Sequence, residues 1–450
     1  MLFLMLSICL IGWTLSQSAT RGARAGLWSG WMIALLLLPS WFLVRIGAVG
    51  IDLRSVAAGV GLACVALFAK RDHLRGFLAS DWLVAAIVTL QIASEYQVGN
   101  FVPLTVVETA RVWSLPYLVG RCFFGSVRDA RRSIRAFALP MAALALYATA
   151  EAATASNPFH DLLGKMTAFA SDETGYRWGL KRAQVFLEHP IYLGFMLVLF
   201  LPWSLHARRL AIQGTCPHWW RFLPWLTMAA VMASGSRGPL IAGLATIVGP
   251  FIVARRRLRI PAMIATVACV GAFVAFQEST VDALTMLAGG TDEAVLITID
   301  GREVEYTGTS HRILQVEIYD SALVTVGPFG YGSKLSALDF DDIPERFRSI
   351  DCHYLLFYLQ YGLGGILLFL LLAGSTLVNL LHVVRARGSP LAEFATSLAC
   401  AMASVTVLLV SVWFSPDFGT VWLFTAGLAA TMRSLTKLPL TIDLHHEVQQ

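Results

Sequence analysis

Apolar residues along this chain fall into blocks long enough to cross a bilayer, separated mostly by short polar connections. The pattern predicts an all-α fold, a polytopic bundle of transmembrane helices. Thirteen spans are expected, or twelve if the block at the N-terminus is not counted; that block has no basic residues before it, so it is not expected to be a cleavable signal peptide. The predicted spans are residues 1–16, 27–46, 53–69, 79–96, 103–120, 137–153, 190–206, 219–235, 238–254, 261–277, 354–382, 393–413 and 419–433.

The connections between these blocks alternate in charge. Every second connection is basic, and together these connections carry 21 of the 34 lysines and arginines. Because basic loops stay on the cytoplasmic side, the C-terminus is predicted to be cytoplasmic and the two long connections to face the periplasm or exterior. The predicted regions are N-terminal transmembrane helices 1–153, further helices 154–277, one large periplasmic loop 278–353, and C-terminal helices with a cytoplasmic tail 354–450.

Composition supports a membrane protein and removes other classes. Hydrophobic types make up 56% of the 450 residues and charged types only 14%, whereas a soluble domain is about one quarter charged. An ordinary cytosolic enzyme, a disordered chain and a nucleic-acid binder are therefore excluded. The seven cysteines are scattered without CxxC spacing, so neither a disulfide framework nor a zinc site is expected.

The few charged residues inside or beside the spans are the candidates for function. Glu108 and Arg111 lie three positions apart in one predicted span and share a helix face. Ionisable side chains are costly in hydrocarbon, so they pair with each other or line a cavity. A structural ion pair and a cavity-lining pair that holds an anionic substrate are both open interpretations.

A second candidate is the bend between two spans, Ser234-Gly235-Ser236-Arg237-Gly238-Pro239. Ser236 suits the N-cap of the incoming helix, and Pro239 suits its first turn. These features alone describe a plain helical turn. An arginine beside a helix N-terminus is also a ready phosphate site, because guanidinium, amide donors and helix dipole all favour an anion.

Two further groups lie at the predicted outer ends of spans. Lys181 and Arg182 lie just before one span, with Glu188 close to its start, and they either anchor the helix or contact substrate. Asp351 and His353 lie at the predicted outer end of the long span 354–382. An acid and an imidazole there suit proton abstraction from a hydroxyl, while a helix-capping Asp351 is the structural alternative.

The large loop contains two patterns of its own. The strand-like run Ala294–Ile299 with the turn Asp300-Gly301 predicts a small hairpin. Further along, Arg312 precedes the glycine-rich stretch Gly327–Gly332, whose backbone is expected to approach a ligand closely.

Taken together, these segments resemble the O-antigen ligase / Wzy-type polymerase family of bacterial membrane glycosyltransferases. The bend Ser236–Gly238 looks like the outer arginine bend of the family. Arg312 upstream of Gly327–Gly332 resembles its second arginine, and Asp351–Gly365 is similar to its polar residue before Tyr-Leu and a glycine-rich span. The resemblance covers roughly residues 185–380.

One departure from the ligase pattern favours a polymerase. Ligases carry a histidine three positions before the pair Tyr354-Leu355, and here that position is Asp351. The sequence is closer to the Asp-Asn-x-Tyr-Leu pattern of exopolysaccharide polymerase-like members, with Cys352 in place of the asparagine. The general base is therefore either Asp351 or His353.

The resemblance implies a reaction at the periplasmic face of the bacterial inner membrane. A hydroxyl of an acceptor glycan attacks an undecaprenyl-diphosphate-linked glycan donor, and arginines stabilise the leaving diphosphate without a metal or other cofactor. Arg237 and Arg312 would contact the diphosphate. Further substrate-binding candidates are Arg182, Lys181, Glu188, Glu108, Arg111 and Ser236.

Partners and alternatives follow from the same resemblance. The expected partners are the lipid-linked donor, the acceptor glycan, the lipid bilayer, a chain-length regulator and a flippase, with no nucleic acid. The first alternative is a ligase that transfers the glycan to lipid A core or to a protein. The second is a transporter of polysaccharide or of a lipid-linked solute.

Overall fold

The computed structural model describes residues 1–69, 76–164, 175–255, 295–299, 302–306, 310–338, 340, 343, 347–386 and 389–436. This part of the chain is mostly helical, as the apolar blocks predict. Six of its helices are long and apolar enough to cross a membrane, which supports a membrane protein. They are Leu2–Arg21, Val127–Thr154, Pro190–Ile212, Arg237–Ala254, His353–Arg385 and Ala392–Ser411, the last including a final 3₁₀ turn.

The elements follow one another as α1 (Leu2–Arg21), α2 (Ala23–Leu37), β1 (Leu43–Ile46), β2 (Val49–Asp52), α3 (Leu53–Phe68), α4 (Ala79–Gln97), α5 (Pro103–Phe123), α6 (Val127–Thr154), α7 (Pro158–Gly164), β3 (Tyr176–Arg177), β4 (Leu180–Lys181), α8 (Pro190–Ile212), a 3₁₀ helix (His218–Phe222), α9 (Leu223–Ala233), α10 (Arg237–Ala254), β5 (Val295–Ile299), β6 (Arg302–Tyr306), α11 (Ser310–Ile318), α12 (Asp320–Thr325), α13 (His353–Arg385), α14 (Ala392–Leu408), a second 3₁₀ turn (Leu409–Ser411) and α15 (Pro416–Thr436). The predicted span 261–277 lies outside the described residues. Every other predicted span contains a helix.

One predicted span is wrong in its second half. The block at 27–46 was expected to be a single helix, but α2 ends at Leu37 and the chain then forms the antiparallel hairpin β1–β2. Gly47, at φ +60°, makes the tight turn, which favours glycine. Asp52 ends the hairpin and caps α3, its carboxylate accepting from the Ser55 N–H at 2.7 Å.

The central helix of the bundle is α8, which is almost entirely buried among α9, α10, α14 and α15. The closest helix contact joins α5 to α15 through small residues. A Cβ on Gly120 would lie 2.1 Å from the Phe424 carbonyl oxygen, and one on Gly427 would lie 2.0 Å from that of Tyr117. Only glycine lets two backbones approach this closely, which is a common way for helices to pack in membranes.

The glycine-rich stretch of the large loop contacts another part of the backbone. The long helix α13 is interrupted at Gly362, which has φ +65°. The Tyr331 N–H donates to the Leu359 carbonyl at 2.7 Å, and a Cβ on Gly330 would lie 2.3 Å from the backbone of Gln360. Gly327–Gly332 therefore docks on the break in α13, which explains its glycines without a ligand.

The hairpin expected in the large loop is present. Strands β5 and β6 pair antiparallel with Ile299 opposite Arg302, which leaves a two-residue connection. Helices α11 and α12 follow and pack on the chain just before α13. There the Tyr319 hydroxyl donates to the Phe347 carbonyl at 3.0 Å, so this part of the loop is fixed against the start of the next span.

Candidate functional site

The turn between α9 and α10, residues Ser234–Arg237, is held by two arginines of the β3–β4 segment; we call it the arginine bend. Gly235 adopts φ +61°, which makes the reversal tight. Arg177 donates to the Gly235 carbonyl at 2.7 Å. Arg182 donates to the Ser234 carbonyl at 3.4 Å and to the Ser236 Oγ at 3.1 Å. The bend therefore collects positive charge from two separate segments.

Ser236 occupies the N-cap position of α10, as predicted, but its side chain does not cap the helix. Its Oγ accepts from Arg182 and donates to the Ser234 carbonyl at 3.2 Å. The hydroxyl therefore serves to position Arg182. The helix N-terminus beside it keeps its favourable dipole for an anion.

Arg182 is the half-buried cation of this group. Burial, together with the neighbouring charge of Arg177, lowers the pKa of Arg182 to about 10. Within the described residues no carboxylate lies within ion-pair distance of it. A bound anion would compensate both the lost hydration and the repulsion.

The other basic candidates lie in different surroundings. Arg237 begins α10 and is exposed. Lys181 donates to the Ala155 carbonyl at 3.2 Å, away from the bend. Arg312 lies in α11, and its side chain is outside the described part of the structure, so its predicted contact with the diphosphate stays a prediction.

A second polar centre is a cavity of about 220 Å³ beside the β1–β2 hairpin. Three of the predicted residues, Glu108, Arg111 and Glu188, line it together although they come from distant parts of the sequence. Arg54 also lines it and was not expected there. We call this space the carboxylate cavity.

Glu108 and Arg111 form the ion pair that their spacing indicates. The Arg111 guanidinium donates to both carboxylate oxygens of Glu108, at 2.6 and 2.8 Å, and lies 3.8 Å from Asp52. The second Glu108 oxygen also accepts from the Gly50 N–H at 3.2 Å. The pair thus fastens the β1–β2 hairpin to α5, so it has a structural role whatever it binds.

The deepest charges next to the cavity are Arg54 and Asp417, which sequence reasoning missed. Their side chains are 2% and 0% exposed, and Arg54 Nη1 lies 3.3 Å from Asp417 Oδ1. Arg54 also donates to the Leu38 carbonyl at 3.1 Å. Asp417 accepts from the Ser40 hydroxyl and, at 3.2 Å, from the Glu188 N–H. This buried pair joins α2, α3, α15 and the segment before α8.

Sequence carries a signal for the Arg54–Asp417 pair. Both residues lie at the ends of apolar blocks. An ionisable side chain within a membrane-spanning segment is by default a candidate for a functional site or an ion pair. Nothing in the sequence, however, indicates that these two, 363 positions apart, are partners.

Glu188 differs from the other acids of the cavity because it has no cation in direct contact among the described residues. Burial and the nearby negative charge of Asp417 raise the pKa of Glu188 to about 7, and Arg54 offsets this only in part. A carboxyl group with this pKa can both accept and release a proton near neutral pH.

The pKa of Glu188 predicts a pH-dependent stability. Because the pKa of Glu188 is about 7 in the folded protein and 4.5 in the unfolded chain, between these two pH values the folded state holds a proton that the unfolded state has lost. The contribution of Glu188 to the free energy of unfolding should therefore be largest below about pH 4.5 and should be lost as the pH rises through 7. Thermal unfolding of the detergent-solubilised protein from pH 5 to 8 should show this fall, and Glu188→Gln should flatten it.

The matched control for this experiment is the exposed Glu393, in an ion pair at the surface. Glu393→Gln should keep the wild-type slope. If Glu188→Gln keeps that slope as well, the raised pKa is wrong.

Asp351 and His353 are two positions apart in the chain but lie in different environments. Asp351 is half-buried, and its N–H donates to Gln315 Oε1 at 3.3 Å. His353 is 3% exposed and packs against aromatic rings, with centroids 4.8 Å away for Phe369 and 5.0 Å for Phe357. The imidazole therefore packs in the aromatic core, although His353 is the first residue of α13.

The first turn of α8 connects these centres. A Cβ on Gly194 would lie 2.5 Å from the Cβ of Pro239 and 3.0 Å from the Ser234 Oγ, so this turn packs on the arginine bend. Tyr192, two positions earlier, accepts from the Trp413 indole and interacts electrostatically with Glu188 and Asp351. This helix end thus packs on the arginine bend and, at Tyr192, interacts electrostatically with Glu188 and Asp351.

Comparison with known proteins gives no family for this chain. It matches no protein-family model, and no curated protein matches it.

Proposed function

We propose that this protein is a membrane glycosyltransferase that polymerises a glycan carried on undecaprenyl diphosphate. The proposal puts the arginine bend and the loop 278–353 at the periplasmic face of the inner membrane, with a cytoplasmic C-terminus. The reaction would serve exopolysaccharide, O-antigen or capsule synthesis. Transfer of the glycan to lipid A core or to a protein is the alternative.

The observation that carries the proposal is the electrostatic state of Arg182. It is a half-buried cation, its pKa is lowered by burial and by Arg177, and no carboxylate neutralises it within the described residues. Two serines hold its guanidinium beside the N-terminus of α10. The paired N–H donors of a guanidinium next to a helix N-terminus suit a diphosphate. They would stabilise the negative charge that develops on it as it leaves.

The bond changes of the proposed reaction balance without a metal. The acceptor hydroxyl oxygen forms a bond to the anomeric carbon of the donor, and the bond from that carbon to the diphosphate oxygen breaks. The electron pair leaves with the lipid diphosphate, where Arg182 and Arg237 stabilise it. The proton of the hydroxyl passes to a carboxylate.

Asp351 is the better candidate for that base. It is half-buried, and among the described residues its carboxylate has no hydrogen-bond or ion-pair partner. His353 is enclosed by aromatic side chains, and its Nε2 has no hydrogen-bond partner among the described residues. A base must reach the proton that it abstracts, which favours Asp351 over His353. Glu188, two residues before the start of α8, is a second candidate proton carrier because its pKa is about 7.

The test is a transfer assay with the purified full-length chain in vesicles. The substrate is the lipid-linked oligosaccharide extracted from cells that lack the protein. We expect a ladder of longer glycans on the lipid and release of undecaprenyl diphosphate. Asp351→Asn should stop the ladder, whereas His353→Phe should retain it.

Other outcomes would select an alternative. Cells without the protein that accumulate complete polymer on the lipid carrier would indicate a ligase. Movement of the labelled substrate across the vesicle membrane with no new glycosidic bond would indicate a transporter and overturn the proposal.

A further inference from the structure

A cavity of about 1110 Å³ opens between α1, α2, the end of α3 and α6. It lies far from the arginine bend in the chain, and the function proposed above does not use it. Four arginines line it, Arg21, Arg24, Arg132 and Arg135, against one acid, Asp129. The cavity therefore has a strong excess of positive charge.

The single acid cannot neutralise these arginines. The Asp129 carboxylate already accepts from the N–H groups of Gly125 and Ser126, at 2.7 and 3.0 Å, as the capping group of α6. It also lies 3.9 Å from Arg24. Arg21, Arg132 and Arg135 are exposed around the same space.

Several of the other lining residues are apolar, and they lie farther along the helices from these arginines. Arg21 ends α1, and Trp13 lies eight residues before it, which corresponds to about 12 Å along a helix. On α6, Arg135 is followed one turn later by Leu139, which is 68% exposed. Ile33 of α2 completes this apolar side. Charge is thus gathered at one end of the cavity and apolar side chains at the other.

We infer that this cavity is a binding site for an acidic phospholipid. The arginines would hold the phosphodiester headgroup, and Trp13, Ile33 and Leu139 would pack against an acyl chain. Basic cavities between transmembrane helices recognise anionic lipid headgroups in this way. A free phosphate ion would use the arginines alone and leave the apolar wall without a function, so the amphipathic shape favours the lipid.

The test compares two variants with the same loss of charge. Arg132→Ala/Arg135→Ala removes two arginines that line the cavity, and Arg128→Ala/Arg131→Ala removes two from the same helix that do not. Each full-length protein is delipidated in detergent and titrated with phosphatidylglycerol, with phosphatidylcholine or with inorganic phosphate. Native mass spectrometry counts the bound lipids, and thermal unfolding reports the stabilisation.

We expect the wild type and the Arg128→Ala/Arg131→Ala variant to retain phosphatidylglycerol and to unfold at a higher temperature with it. The Arg132→Ala/Arg135→Ala variant should bind it about 30-fold more weakly, since each arginine near a lipid headgroup contributes a factor of about five. Equal binding by all three proteins, equal loss in both variants, or equal protection by inorganic phosphate would each overturn the inference.

Discussion

Replacing Arg182 with methionine is expected to reduce glycan polymerisation by about 100-fold or more, because removal of one preorganised donor to a developing oxyanion has an effect of this size. Methionine keeps an unbranched apolar stem like that of Arg182, which packs beside Gly235. What it removes is the guanidinium that contacts Ser234 and Ser236. The folded protein should be retained, because the variant also removes a half-buried charge.

The measurement is the rate of undecaprenyl diphosphate release in vesicles, together with the amount of folded protein. Arg182→Lys should recover only part of the activity, since an ammonium keeps the charge but cannot offer two parallel donors. The matched control is the neighbouring Lys181→Met, which loses a cation that contacts Ala155 instead of the bend. Equal losses in Lys181→Met and Arg182→Met would show a general charge effect and remove Arg182 from the proposed site.

A third arginine tests whether the bend acts as one unit. Arg237 is exposed at the start of α10, next to Ser236. If Arg237 and Arg182 bind the same diphosphate, replacing both arginines should slow undecaprenyl diphosphate release by less than the product of the two single effects. Residues that act on one group as a unit are not additive.

The helices were predictable from the sequence because hydrocarbon imposes a simple rule on length and polarity. The bend at Ser234–Arg237 was predictable for a related reason, since a glycine and a proline there mark a sharp change of direction. The β1–β2 hairpin was not predicted, because Leu43–Ile46 is apolar except for Arg45 and continues the preceding block. Pro39, the β-branched residues of the strands and Gly47 mark the end of the helix.

The candidate site shows where single-sequence reasoning ends. Glu108 and Arg111 could be paired from their spacing, because the helix brings positions three apart together. The different surroundings of Asp351 and His353 could not be derived from the sequence. They arise because Phe369 and Phe414 pack against the His353 ring, and nothing in the sequence around these phenylalanines indicates that contact. Tertiary packing decides whether Asp351 or His353, two positions apart, is accessible.

The same limit applies to Arg54 and Asp417, and it leads to the largest expected effect on stability. Arg54→Leu leaves the Asp417 carboxylate buried with no cation to balance it. Breaking a buried pair in this way costs about 3–5 kcal/mol. Asp417→Leu should cost a similar amount, because it leaves the guanidinium buried and also removes the acceptor for the Glu188 N–H. Unfolding of the solubilised protein by a denaturant measures both.

The double variant Arg54→Leu/Asp417→Leu distinguishes the loss of a pair from the loss of two separate side chains. With both charges gone, no uncompensated ion remains, and most of the lost stability should return. The surface pair Arg209–Glu393 is the matched control, since its side chains are 41% and 69% exposed. Arg209→Leu should change the free energy of unfolding by less than about 1 kcal/mol. If Arg54→Leu changes it no more than Arg209→Leu does, the Arg54–Asp417 pair does not hold α3, α15 and the segment before α8 together.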